Sequence, residues 1–123
     1  MNKLKRLIPV FMMLILMSAP VYGDDFQDAN DAFIRKDYKT VYKLLLPLAE
    51  QGDVQGQYNL GAMYFKGDGV KQNFILAHMW FSLSGFNGQV DGVKKRSTIE
   101  NKMSPSQIEN AQEMAREWME KRK

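Results

Sequence analysis

The chain repeats itself. Asp37 to Asp53, "DYKTVYKLLLPLAEQGD", lies over Asn73 to Gln89, "NFILAHMWFSLSGFNGQ", at a constant offset of 36 that aligns Tyr38 with Phe74, Leu45 with Phe81 and Gly52 with Gly88. Upstream, "ANDAFIRKD" and "LGAMYFKGDGVKQN" align at an offset of 31 up to Lys36 and Gly67, so the first unit lacks about five loop residues. Self-similarity at such a period marks stacked units. One unit cannot bury its own apolar face, and neighbours must cover it.

The units are helical. Apolar residues recur at three and four: Phe26, Ala29, Ala32 and Phe33, then Val41, Leu44, Leu45 and Leu48, then Ala77, Trp80, Phe81 and Ser84, and finally Ile108, Ala111, Ala115, Trp118 and Met119. This is helix spacing, and no alternating strand pattern of useful length competes with it. Asp37, Asp53 and Asn73 stand where side chains accept from first-turn amides, while Gly52, Gly67 and Gly88 stand where helices stop. "MSPSQI" opens the last helix with Ser104 as cap, Pro105 at the first position, Gln107 closing a capping box and Met103 with Ile108 as a staple. The expected fold is all-α, an α/α solenoid of two to three antiparallel helix pairs, with units at about residues 24–52, 53–88 and 89–123. Asp91-Gly92 is a poor helix interior, so the first helix of the third unit is expected to be irregular.

Ahead of the units stands a leader. "MNKLKR" is basic, "LIPVFMMLILM" is an apolar run of eleven, and "SAPVYG" ends in small residues. That order is a secretory signal peptide over residues 1–23, cut after Gly23, and the run is short for a membrane span. Taking Lys3, Lys5 and Arg6 from the 17 Lys+Arg leaves 14, against 14 Asp+Glu, so the mature part is balanced. A nucleic-acid binder shows a basic face. Here "KKR" at Lys94 to Arg96 and "KRK" at Lys121 to Lys123 are too short for one, and they are read as a solvated helix face and a frayed tail. With no cysteine, the chain has no lipid-modified anchor, thiol nucleophile, thiolate metal site or disulfide. The expectation is an exported protein, periplasmic or secreted, held by its apolar core.

The middle unit resembles the Sel-one-like repeat (SLR), a relative of the tetratricopeptide repeat. Leu60-Gly61-Ala62-Met63-Tyr64 matches the family's first helix, Gly67-Asp68-Gly69-Val70 its loop, and Ala77-His78-Met79-Trp80 its second helix. Leu60, Gly61, Tyr64, Gly67, Gly69, Ala77 and Trp80 are therefore expected to be structural. Gly67 ends a helix, Gly69 relieves a turn, and Val70 folds back over the helix ends. Lys71-Gln72-Asn73 lacks the hydroxyl that a phosphate-cradling loop carries after its lysine.

The resemblance implies a protein-interaction adaptor or scaffold with no catalysis and no cofactor. First helices of such pairs line the concave surface, so Tyr58 and Phe65, with Asn59 beside them, form the expected groove for a protein or peptide partner. The opposing reading is that neighbouring pairs bury this stripe. His78 has no partner assignable from spacing, and Asp28 with Asp31 makes a poor calcium site. Two alternatives are an envelope enzyme or ligand binder akin to penicillin-binding SLR relatives, which lacks both their cysteines and a Ser-x-x-Lys motif here, and a module that self-associates weakly through helix 104–121.

Overall fold

The computed structural model describes residues 25–123, and the leader expected over residues 1–23 lies outside the described residues. Among the described residues six helices follow one another: α1 (residues 25–34), α2 (Tyr38–Glu50), α3 (Val54–Lys66), α4 (Phe74–Phe86), α5 (Val90–Glu100) and α6 (Pro105–Glu120). No strand occurs among the described residues. The architecture is an all-α helical solenoid.

Four of the starts, those of α2, α3, α4 and α6, have a chemical cause in a capping side chain. The Asp37 carboxylate accepts from Thr40 N, Asp53 from Gly56 N at 2.7 Å and Asn73 from Leu76 N at 3.0 Å. At α6 the Ser104 hydroxyl and the Gln107 side chain close a capping box, with Pro105 in the first turn. These contacts satisfy amides that a helix leaves unpaired at its start. The stops mirror each other as well. Gly52, Gly67 and Gly88 take positive φ, and Lys36, at the place in the short first unit that aligns with Gly67, takes φ 61.

The centre of the molecule is α4, which packs against α3, α5 and α6. Its sequence is apolar on nearly every side, and Ala77, His78, Met79, Trp80, Phe81, Leu83 and Ser84 are all buried. A helix apolar all round belongs inside a fold. Two clusters divide the core. The larger runs from Ala29 and Ala32 through Val41, Leu45, Leu48 and Leu60 to Trp80 and Ala115, and the smaller joins Ala77 and Phe81 to Ile99, Met103 and Ala111.

The irregular helix expected at Asp91-Gly92 is a regular one. Gly92 is buried, and a methyl group there would stand 2.2 Å from Ser84 Oγ and 2.8 Å from the Phe81 carbonyl oxygen. Close approach to α4 offsets the low helix propensity of glycine, and that tertiary contact cannot be read from propensity alone.

The C-terminus closes on the first unit. Trp118 meets Trp80 edge to face at 6.4 Å, Arg122 lies 4.5 Å over the Trp118 ring, and its guanidinium donates to the Glu50 carbonyl at the end of α2. A cation there satisfies a carbonyl left free by the helix and opposes the negative end of its dipole.

Candidate functional site

Helix α3 positions the site because it is walled on two sides. Toward α4, Gly61 lies so close to Phe81 that a methyl group would stand 2.8 Å from the ring. Toward α2, the Tyr64 hydroxyl meets that of Tyr42 at 3.0 Å, and buried Gln57 donates to the Ala49 carbonyl at 3.2 Å while accepting from Asn87 at 3.3 Å. Gln57 thus ties α2 and α3 to the end of α4. Burial first, then the hydrogen bond with Tyr42, pushes the Tyr64 hydroxyl well above its ordinary pKa.

The loop "GDGV" seats this helix on the first unit. Gly67 takes φ 76 and its amide donates to Met63 O at 2.8 Å, while Gly69 takes φ 73 and has no room for a side chain, since a methyl group there would stand 2.5 Å from the Tyr38 carbonyl oxygen. L-residues with a β-carbon resist that backbone region. Val70 is half-buried against the larger cluster. Among the other motif residues, Leu60 and Trp80 are buried in the larger cluster and Ala77 in the smaller.

Between α1, α2 and α3 lies a cavity of about 380 Å³. Phe26, Ala29 and Phe33 line it from α1, Tyr38, Val41 and Leu45 from α2, and Asn59, Ala62 and Met63 from α3; Asn30, Gln55, Lys66 and Asp68 add polar groups. Its walls are mostly apolar, and three of the polar groups are amides that both donate and accept.

The residues expected to form a partner groove divide between two faces. Asn59 shares a helix face with Gln55, Ala62 and Lys66 and lines this cavity. Tyr58 instead meets Phe81 at 5.4 Å, and Phe65 meets Phe74 at 5.8 Å, both half-buried against the smaller cluster. One step along a helix turns a side chain by about 100°, so neighbours 58 and 59 part company. Residues of α1 and α2 supply much of the cavity wall. Their spacing showed that they were helical and apolar, but not that their stripe was left partly uncovered.

His78 has a partner that spacing did not show. It is wholly buried, its Nε2 lies 2.9 Å from Glu100 Oε1, and Ser82 Oγ lies 3.3 Å from its Nδ1 while donating to the His78 carbonyl at 2.7 Å. Ser82, four residues on, was readable as a neighbour, whereas Glu100 reaches the site through the fold. None of the three lines this cavity. Among the described residues no three His, Cys, Asp or Glu side chains gather as metal ligands, and no helix is long and apolar enough to cross a membrane.

Paired helices that stack on a buried central helix and are joined by a Gly-x-Gly loop define the class, a tetratricopeptide-like α/α solenoid. Residues 54–85 match the model of the Sel1 repeat. A protective antigen present in uropathogenic Escherichia coli strains, whose crystal structure displays an SLR fold, superimposes with a TM-score of 0.74 at 26% identity over 80% of this chain. Residues 54–85 thus carry a Sel1 repeat, and the chain is similar in fold to an SLR protein. The chain spans 22% of the length of that solved structure. No curated protein matches it.

Proposed function

We propose that this chain is an exported protein-interaction module that holds an apolar segment of a partner protein in the groove between α1, α2 and α3, and that it acts as an adaptor without catalysing a reaction. The observation that carries the reading is the groove itself, about 380 Å³, apolar along its walls and edged by the amides of Asn30, Gln55 and Asn59. Interaction surfaces combine an apolar centre with a polar rim, and amides suit the backbone of a bound segment. The Sel1 repeat and the SLR fold support the same class of activity. Export, to the periplasm or beyond, rests on the order of the leader, "MNKLKR" then "LIPVFMMLILM" then "SAPVYG".

The test places a photo-crosslinking residue at position 59 in one variant and at exposed position 109 on α6 in another. A partner that crosslinks from 59 alone is then purified and titrated. Filling the groove with Ala62→Trp should weaken its binding at least tenfold while the circular dichroism stays that of the parent. Unchanged affinity in the filled and folded variant would defeat the groove reading.

A further inference from the structure

A second surface lies away from the groove, at the corner where α4 turns into α5. Phe86 is 75% exposed, Val90 64% and Val93 38%, three of the five large apolar side chains most exposed among the described residues. Val93 packs beside Gly85, next to Phe86 in the chain. Val90 precedes Val93 by three positions and shares its face of α5. Phe86, with Asn87, also borders an open hollow of about 840 Å³ against the end of α6, which neither valine lines.

Cations flank it. Lys94 follows Val90 by four positions and Arg96 follows Val93 by three, so each valine has a positive charge one turn on along the same side of the helix. Lys95 and Lys102 are exposed on the same segment. None of these four makes an ion pair among the described residues. Of the two acids in that helix, Glu100 is engaged with His78, leaving Asp91 in the first turn.

We infer that this corner is a docking surface for an anionic lipid bilayer, with Phe86 and Val90 entering the headgroup boundary and Lys94, Lys95 and Arg96 facing the lipid phosphates. Exposed apolar side chains with unpaired cations beside them on α5 suit a planar, deformable, negatively charged surface. An acidic peptide, the other chemistry of matching charge, would need free backbone partners, which the regular turns of α5 do not offer. Attachment of this kind is peripheral and reversible, and it does not depend on the groove having a partner.

Sedimentation with vesicles tests the inference on the chain from Asp24 onward, which carries both apolar clusters and lacks the leader's own apolar run. Vesicles of phosphatidylglycerol and phosphatidylethanolamine should carry the protein down, and vesicles of phosphatidylcholine should not. Lys94→Gln with Lys95→Gln should lower the partition about fivefold for each lysine removed, and Phe86→Ser should lower it about tenfold. All three positions are exposed, so the variants should fold, and circular dichroism checks this. Failure to bind the anionic vesicles, equal binding to both kinds, binding indifferent to these substitutions, or capture of poly-glutamate in place of vesicles would each overturn the inference. Because the readout is lipid, none of these outcomes bears on the groove.

Discussion

His78 Nε2 and Glu100 Oε1 stand 2.9 Å apart, joining the first half of α4 to the last turn of α5. The imidazole is 0% exposed and the carboxylate 35%, so the histidine depends on a partner that still touches water. Removing that partner strands a buried polar atom, which costs about 1–3 kcal/mol. Glu100→Ala should therefore lower the unfolding free energy by about that amount, whereas Glu100→Gln, which keeps a hydrogen-bonding group in place, should lose markedly less. Urea titration reads both. A glutamine variant that falls as far as the alanine variant would mean that charge, not the hydrogen bond, holds α5 to α4.

Gly92 sets two effects of opposite sign against each other. In an open helix, glycine to alanine gains about 1 kcal/mol. Here the new methyl group would meet Ser84 Oγ at 2.2 Å and the Phe81 carbonyl oxygen at 2.8 Å. The serine can rotate away, but the carbonyl is fixed by its helix. Overpacking of this kind costs about 1–3 kcal/mol, so Gly92→Ala should destabilise, and adding Ser84→Ala should restore only part of the loss. A more stable Gly92→Ala protein would show that α5 is free to shift outward.

The same residue shows where sequence reading stops. Helix ends were legible because their causes are local: Asp53 and Gly56, or Ser104 and Gln107, lie within one turn of each other. The stacked helix pairs were legible because the 36-residue offset repeats a whole motif. What escaped were contacts made only by the fold, the approach of Gly92 to Ser84 and the pairing of His78 with Glu100. The groove fell between these cases. Asn59 was singled out, but the aromatic side chains on either side of it turn to α4, and the cavity it faces is completed by α1 and α2.

Tyr64 makes the α2–α3 contact sensitive to alkali. Its hydroxyl lies 3.0 Å from that of Tyr42, and burial together with this hydrogen bond raises its pKa above the ordinary 10.0. For an acid with a raised folded pKa, the unfolded chain loses its proton first as pH rises. Above the ordinary value the unfolded state then binds fewer protons than the folded one, and stability falls with increasing pH. The contribution is fully present below pH 10.0 and is lost as pH climbs toward the raised folded value. Urea midpoints taken on either side of that pH should therefore drop more steeply for the parent than for Tyr64→Phe, which removes the titrating group. Tyr42→Phe should be intermediate, since it removes the hydrogen bond but leaves the burial, which is the larger cause. Tyrosinate absorbance of the folded protein gives an independent reading: one tyrosine should resist ionisation in the parent and be missing from the titration of Tyr64→Phe. Parallel alkaline slopes for parent and Tyr64→Phe would mean that the hydroxyl pair contributes nothing to how α3 sits on α2.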